Sequence, residues 1–338
     1  MERSEGNASG PADLPERSGK RPNALTVSQH DNTEVLSRCE QCDKNNEERM
    51  PVNIQWYPGH MTKTRRQMEA DLKHVDIVVE LVDARIPISS RNPDIDAICG
   101  DKPRIIMLNR ADQADPQMNK VWVNYFTKEW GLQVAVADSR SGSGVDQMTA
   151  LSRNTLRNQI ARWQEKGQVG RPIRAMVVGV PNVGKSTFIN KLAKRKSAKA
   201  GDRPGVTRGK QWVSVDKGLE LLDTPGILWP KFEDETTGLH LAFTGAVKDE
   251  VTDMEGLACA LLELLRDRYP YTLRERYKLV EMDGKQGWEL LEQGAKKRGM
   301  LISGGEADTE RMAKVLLDEF RGGKLGRFTL ETPEDVRL

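Results

Sequence analysis

The sequence has few cysteines, no long apolar run and no excess of charge of one sign. Its four cysteines, in 338 residues, are too few and too scattered for a disulfide framework, so a reducing compartment is expected. No apolar run approaches the roughly 20 residues that span a bilayer, and the N-terminus lacks the apolar core of a signal peptide. These absences argue against a secreted or membrane-spanning protein and predict a cytoplasmic one.

Lys and Arg number 52, Asp and Glu number 50, and the formal net charge is only +2. A total so close to neutrality does not indicate nucleic-acid binding, which would have to rest on a local basic cluster. Cys39 and Cys42 have the spacing of half a zinc site, with His30 as a third ligand, but a fourth ligand is missing nearby. The alternative for this pair is two ordinary thiols in a flexible tail.

Composition divides the chain into three segments. Residues 1–50 are polar and lack apolar periodicity, so they cannot bury enough surface to offset the entropy of ordering and are predicted to be disordered. Residues 51–230 alternate short apolar runs with helical patterns, which is typical of a doubly wound, mostly parallel α/β sheet. Residues 231–338 carry apolar residues at helical spacing, which predicts an all-helical C-terminal domain.

The periodicity also predicts individual elements. Strands are expected over 76–83, 104–108, 133–136, 173–178, 211–215 and 219–222, the last two joined as a hairpin. In the C-terminal segment, helices are expected over 255–268, 287–298 and 307–321. Asp308 or Thr309 is suited to cap the last of these helices.

Residues 179–186 read Gly-Val-Pro-Asn-Val-Gly-Lys-Ser, which satisfies the phosphate-loop pattern between a predicted strand and a helix. Glycines let the backbone N–H groups of such a loop turn toward phosphate oxygens, and the helix N-terminus adds partial positive charge. Lys185 should reach the β- and γ-phosphates, and the Ser186 hydroxyl should bind Mg²⁺. The remaining predicted nucleotide contacts from this loop are Val183, Gly184 and Thr187. A purely structural glycine turn is the alternative.

A second motif, Asp223-Thr-Pro-Gly226, ends a predicted strand. Asp223 is expected to hold Mg²⁺ through water, and the Gly226 N–H is expected to meet the γ-phosphate. Thr207 lies between the two motifs and is predicted to contact Mg²⁺ and the γ-phosphate only in the triphosphate state. For Thr207 alone, an ordinary surface loop is the alternative.

A base-recognition motif, Asn109-Arg110-Ala111-Asp112, follows the predicted strand 104–108 at the edge where open α/β sheets bind ligands. The carboxylate of Asp112 can accept both the ring N–H and the exocyclic amine of guanine, so the motif specifies GTP over ATP. Ser139 is expected to support the guanine carbonyl through its backbone N–H. Because this motif precedes the phosphate loop, the sequence predicts a circularly permuted P-loop GTPase domain.

With these motifs placed, the chain from residue 54 onward resembles the ribosome biogenesis GTPase A family of circularly permuted GTPases. Besides the GTPase motifs, the resemblance is carried by Trp56-Tyr-Pro-Gly-His60-Met61, Asp83-Ala-Arg-Ile-Pro87 and Ser89-Ser-Arg-Asn-Pro93. It implies a factor that binds the large ribosomal subunit late in assembly, in the GTP state, and is released after hydrolysis. The expected partners are the ribosomal RNA and proteins of a large-subunit precursor, with no membrane or DNA, and the protein is expected to be a monomer off the ribosome.

The resemblance also implies roles for two side chains. Ile227 stands where Ras-like enzymes place a water-orienting glutamine, and the family points instead to His60 as the water-positioning or proton-accepting group. A structural histidine is the alternative. Asn182 stands where related GTPases have an asparagine that accompanies K⁺, and a loop-stabilising amide is its alternative. Arg110 replaces the lysine more common in the family, which bears on nucleotide affinity rather than specificity.

The permuted order places Gly226 directly before the helical domain, so a γ-phosphate contact is expected to act on that domain through residues 228–231. A basic cluster beside the switch suits ribosomal RNA phosphates, with a solvated helix face as the alternative. Its members are Lys191, Lys194, Arg195, Lys196, Lys199, Arg203, Arg208 and Lys210. Two other functions stay open: an RNA-binding module in which GTP is structural, and an ATP-dependent kinase, which Asn109 and Asp112 disfavour.

Overall fold

The described part of the chain is a computed structural model of residues 61–196, 211–216, 218–224, 226, 228–229, 232, 234–249 and 252–336. Within it, the backbone alone is described at 61–64, 194–196, 211 and 216. The predicted disorder of 1–50, the Cys39 and Cys42 pair, His60 and Thr207 lie outside these ranges. So does half of the basic cluster, from Lys199 to Lys210.

Within the described residues, six strands form one sheet in the order β3-β2-β1-β4-β6-β5. In chain order, β1 to β6 are Ile77–Asp83, Arg104–Asn109, Gln133–Val136, Ile173–Val178, Gln211–Asp216 and Leu219–Asp223. Neighbouring strands are parallel except for the β5/β6 hairpin, which is antiparallel. All six predicted strands are confirmed to within one residue at each end.

Helices surround and follow the sheet. In chain order, α1 to α11 are Met61–Leu72, Asp94–Cys99, Pro116–Glu129, Gln147–Thr155, Arg157–Glu165, Lys185–Lys196, Glu235–Phe243, Met254–Arg268, Pro270–Tyr277, Gly287–Lys297 and Thr309–Arg321. The last helix begins two residues later than predicted, because Ala307 pairs with Leu301 in a β-bridge and Asp308 caps the helix by accepting from the Arg311 N–H at 3.0 Å. None of the described helices is long and apolar enough to cross a bilayer.

The strands alternate between two apolar faces. Val79 and Leu81 of β1 belong to a cluster that includes residues of α6 and of the C-terminal helices. Val78 packs with α1 and α2, and Val82 packs with α3, on the opposite side. Because side chains of successive strand residues point to opposite faces, each face needs its own cover of helices. The sheet is therefore doubly wound, as the sequence predicted.

The segment after the sheet enters the core at once. Leu228 and Trp229 are buried in the same apolar cluster as Leu257 and Leu261 of α8. A single continuous core therefore runs from the sheet through these two residues into the C-terminal helices. The domain boundaries at 50 and 230 stay predictions.

Candidate guanine-nucleotide site

The predicted motifs meet at one edge of the sheet. Strand β1 ends at Asp83, β2 at Asn109 and β6 at Asp223, while β4 runs into the phosphate loop at Gly179. These four strands are parallel, so their carboxyl ends lie at the same edge. Ligands of open α/β sheets bind in the crevice at this edge.

The phosphate loop depends on glycine at two points. Gly179 has φ +153°, and a Cβ there would lie 2.4 Å from the carbonyl oxygen of Leu81. Gly184 has φ +101°, and its Cβ would lie 2.7 Å from the amide nitrogen of Asn109. A side chain at either position would displace a neighbouring strand end or the base motif, so the loop keeps its shape only with glycine.

Lys185 is buried at the centre of the loop. Its ammonium group donates to the carbonyl oxygens of Gly179 at 2.9 Å and Val180 at 2.8 Å. Burial lowers the pKa of Lys185 to about 8, although the negative charge of Asp223 opposes this shift. Because the carbonyl groups to which it donates are neutral, this buried cation favours an approaching anion, which is the role predicted for the lysine.

Ser186 and Asp223 present the oxygens expected for a magnesium site. The Ser186 hydroxyl donates to the Asp223 carboxylate at 3.3 Å. Hydroxyl and carboxylate oxygens are hard ligands of the kind that Mg²⁺ prefers, and Mg²⁺ in such sites binds few protein groups plus phosphate and water. The donor set therefore fits Mg²⁺, and Lys185 beside it fits the phosphates.

Gly226 approaches the phosphate loop closely. A Cβ at this position would lie 2.8 Å from both Cα and N of Pro181 and 2.9 Å from the ammonium nitrogen of Lys185. The Thr224 hydroxyl, two residues earlier, donates to the Val177 carbonyl at 2.6 Å and holds the segment on β4. The backbone at Gly226 is therefore next to the groups expected to surround the γ-phosphate.

Asn109 joins the base motif to its neighbours. Its amide group donates to the Val183 carbonyl at 2.8 Å, and its oxygen accepts from the Ser139 N–H at 3.1 Å and hydroxyl at 2.6 Å. Ala111 is held in turn by a bond from its N–H to the Ala137 carbonyl at 3.2 Å. One buried amide thus aligns three loops, a role that the sequence pattern alone did not reveal.

The two charged members of the base motif contact charged or polar partners. Asp112 lies 3.8 Å from the Arg140 guanidinium, and Arg110 donates to the Asn182 carbonyl at 2.8 Å. Arg110 also lies 3.8 Å from Asp83, and its burial lowers the pKa of the guanidinium, opposed by that carboxylate. Arg110 therefore bridges the base motif, the end of β1 and the phosphate loop.

Asn182 connects the phosphate loop to the helical segment. It has a positive φ of +58°, and its amide group donates to the carbonyl oxygen of Gly245, just after α7. Thr187 is exposed in the first turn of α6, and Val183 is buried beneath the loop. The structure thus brings the described candidate residues together at this edge, while His60 and Thr207 lie outside the described residues.

Buried charged residues to which the motifs gave no role also lie near this edge. Arg85 forms a bidentate pair with Asp83, with hydrogen bonds of 2.9 and 2.7 Å, and both are buried. Glu331, near the C-terminus, accepts from the Ile88 N–H at 2.6 Å. The Asp-Ala-Arg sequence at the end of β1 could have indicated the pair of Asp83 and Arg85. Nothing local to the sequence around Glu331 indicates its contact.

This fold, with its phosphate loop, base motif and Asp-Thr-Pro-Gly segment in permuted order, defines a P-loop GTPase. A family model described as a 50S ribosome-binding GTPase matches residues 174–281. Ribosome biogenesis GTPase A of Bacillus cereus is 49% identical over 282 residues, covering 83% of this chain and 95% of that protein. The chain belongs to the ribosome biogenesis GTPase A family and is a GTP-hydrolysing enzyme.

More distant relatives agree. The protein of the same name from Thermotoga maritima is 32% identical over 283 residues, covering 84% of this chain and 96% of that protein. A crystal structure of GNP-bound YlqF from T. maritima superposes with a TM-score of 0.57 at 31% identity, covering 81% of this chain and 100% of that one. The resemblance and the permuted GTPase fold inferred from the motifs are both confirmed.

Proposed function

We propose that this GTPase is an assembly factor that binds a precursor of the large ribosomal subunit late in maturation, in its GTP state, and is released after hydrolysis. The observation that carries the proposal is the position of Gly226, whose backbone lies against the phosphate loop and leads directly through Leu228 and Trp229 into the helical core. A contact made only with the γ-phosphate can therefore move residues that are packed against the C-terminal helices.

The geometry supports the following proposed roles. Asn109 and Asp112 select guanine with support from the Ser139 N–H, while Val183, Gly184 and Thr187 contribute phosphate contacts. Lys185 binds the β- and γ-phosphates. Its burial lowers its pKa, and the negative charge of a bound phosphate would stabilise the ammonium form. Ser186 and Asp223 hold Mg²⁺, which when bound neutralises charge on the phosphates.

Three further roles are proposed: those of His60 and Asn182 rest on the family resemblance, and that of Thr207 rests on its place between the phosphate loop and the Asp-Thr-Pro-Gly motif. His60 positions the attacking water, Thr207 senses the triphosphate, and the amide oxygen of Asn182 is a ligand for K⁺. The proposed role of Asn182 is supported by its position in the phosphate loop. Its amide nitrogen donates to the Gly245 carbonyl, and its amide oxygen is the kind of atom that binds a cation.

The proposed partners are ribosomal RNA and proteins, contacted by residues 231–338 and by the basic cluster. Lys191 of that cluster already donates to the Arg140 carbonyl at 2.9 Å, so it supports the base loop as well. We expect a monomer off the ribosome, in the cytoplasm, which agrees with four scattered cysteines.

The decisive experiment measures co-sedimentation with purified large-subunit precursors in the presence of a non-hydrolysable GTP analogue or GDP. We expect affinity at least about fivefold higher with the GTP analogue, the lower end of typical allosteric coupling, and faster GTP hydrolysis when particles are added. An ATP analogue is the control, and binding to the particles in its presence should equal binding without nucleotide. Equal binding with GDP and the GTP analogue would instead favour an RNA-binding module in which GTP is structural.

A further inference from the structure

The C-terminal strap, residues 328–331, lies between two loops of the nucleotide site. The Phe328 N–H donates to the Gln113 carbonyl at 2.9 Å, and the Leu330 N–H donates to the Arg85 carbonyl at 2.7 Å. Gln113 directly follows the base motif, and Arg85 lies just after β1. Four consecutive residues near the C-terminus therefore connect the loops after the first two strands.

The side chain of Thr329 repeats this connection. Its hydroxyl accepts from the Asp115 N–H at 3.3 Å and donates to the Ala84 carbonyl at 3.2 Å. Its backbone N–H and carbonyl bond to the Tyr269 hydroxyl, at 3.1 and 2.9 Å, where α8 gives way to α9. The strap thus holds the helical segment on one side and the two nucleotide-site loops on the other.

Glu331 is the anchor of the strap. Its carboxylate accepts from the Ile88 N–H at 2.6 Å, the Ser89 N–H at 3.1 Å and the His240 ring at 2.9 Å. Glu331, Ser89 and His240 are each only 4% exposed. Because an ionised carboxylate only accepts hydrogen bonds, three donors from two separate elements converge on it and fix the loop after β1.

The loop that Glu331 fixes reaches the base motif through charged groups. The Ser90 hydroxyl accepts from the Asp83 N–H at 2.9 Å, and the Asp83 carboxylate faces Arg110 of the base motif at 3.8 Å. Arg110 in turn donates to the phosphate loop at Asn182. A path of direct contacts therefore runs from Glu331 to both halves of the nucleotide site.

We propose that the C-terminal strap positions the guanine-recognition loop, and that Glu331 is a positioning residue for guanine selectivity although it lies outside the proposed base contacts. The inference rests on the proposed role of Asp112 in reading the guanine amine. It predicts that loosening the strap changes how well the site tells guanine from hypoxanthine, the same base without that amine.

The test compares Glu331→Gln with Glu334→Gln, the same change three residues later on an exposed side chain. The amide that replaces the Glu331 carboxylate has one accepting oxygen, and its NH₂ group takes the place of the other, so the hydrogen bonds around Glu331 cannot all be kept as they are. Dissociation constants for GDP and IDP are measured by competition with a fluorescent GDP analogue, well below the melting temperature. We expect Glu331→Gln to reduce the ratio of the IDP constant to the GDP constant about threefold or more, and Glu334→Gln to leave it unchanged.

Asp112→Asn separates the two levels of inference. If this variant keeps the wild-type ratio, the proposed base site is wrong. The inference is overturned if Asp112→Asn lowers the ratio while Glu331→Gln keeps the wild-type value. It is also overturned if Glu331→Gln raises the dissociation constants of GDP and IDP by the same factor, because the strap then has only a structural role. Should Glu331→Gln not fold, Thr329→Val removes two of the strap's bonds with little change in shape and is expected to lower the ratio in the same way.

Discussion

At Gly226, the backbone of the switch segment lies directly against the phosphate loop. The groups that a Cβ would meet include backbone atoms of Pro181, which cannot move aside without deforming the phosphate loop. The loop is also tied to Asn109 through Val183, so it resists this deformation and the switch segment would have to move instead. A glycine is therefore required where the switch segment meets the loop.

Replacing Gly226 with alanine should separate hydrolysis from GDP binding. The methyl group forces the switch segment away from the loop, so its N–H can no longer stabilise charge on the γ-phosphate. Loss of one such donor typically lowers kcat by about 10²-fold or more. We expect that loss in steady-state GTP hydrolysis, with GDP affinity changed by less than about threefold.

Gly256→Ala, in the first turn of α8, is the matched control and should leave the rate unchanged. Hydrolysis by Gly226→Ala at the wild-type rate would show that the close approach to Pro181 has no part in the reaction.

At the same scale, Asn109 shows what a motif can and cannot reveal. Its position at the end of a buried strand was predictable, because the preceding apolar run is short and is followed directly by polar residues. Its bonds to Val183 and Ser139 were not, since they join residues that the chain order separates. The motif thus located the Asn109 side chain and assigned it to guanine recognition. It did not show that the same amide also holds the loops together.

At the scale of secondary-structure elements, Glu319 links three of the C-terminal helices. It lies on α11 and accepts from Arg276 at 3.0 Å, Tyr277 at 2.8 Å and Arg298 at 3.1 Å. Burial alone would raise its pKa, but these hydrogen bonds and the Arg charges dominate and lower the pKa of Glu319 to about 2. The ionised carboxylate therefore stabilises the packing of α9 and α10 against α11.

Glu319→Gln should destabilise the protein by about 1.5–3 kcal/mol at pH 7, the usual range for hydrogen bonds to a charged group. Because the folded pKa lies below the unfolded value of about 4.5, this stabilisation is present above pH 4.5 and is lost as the pH falls toward 2. Urea unfolding at pH 7 and pH 3 should therefore show a smaller difference between variant and wild type at pH 3.

Glu310→Gln serves as the control on the same helix. Glu310 pairs with Lys314 one turn away, and both side chains are more than half exposed, so solvent screens the pair and Glu310→Gln should change the free energy of unfolding little. A cost for Glu319→Gln no larger than that of Glu310→Gln would show that the buried carboxylate does not hold the helices together.

The elements also show the limits of reading a sequence. The strands were predictable because Val- and Ile-rich runs end at turn residues, as at β3 and β4. Helix α9 was not predicted, although Pro270 marks its start, because its eight residues bury only Leu273 and Tyr277 and show little periodicity. The strap carries no pattern, since the bond between Ile88 and Glu331 spans 243 residues of chain.

At the scale of the whole molecule, the sheet and the C-terminal helices share one apolar core. The cluster that contains Val79 and Leu81 of β1 also contains Leu228, Trp229 and the buried face of α8. The strap adds a second connection, on the base-recognition side of the site. The described buried apolar residues of the C-terminal helices all belong to this shared cluster, so these helices have no separate core to retain when the sheet unfolds.

Nucleotide binding should therefore stabilise both halves equally. GDP at about 100 times its dissociation constant adds about 2.7 kcal/mol to the free energy of unfolding of any part that unfolds with the site. Hydrogen exchange of the slowest amides in β1 and in α8 should then slow by the same factor on adding GDP, because both sets exchange through the same global opening. ATP at the same concentration is the control and should slow neither set, since the base motif selects guanine. If GDP slows exchange in β1 and leaves α8 unchanged, the helices open independently and the shared core does not transmit nucleotide binding.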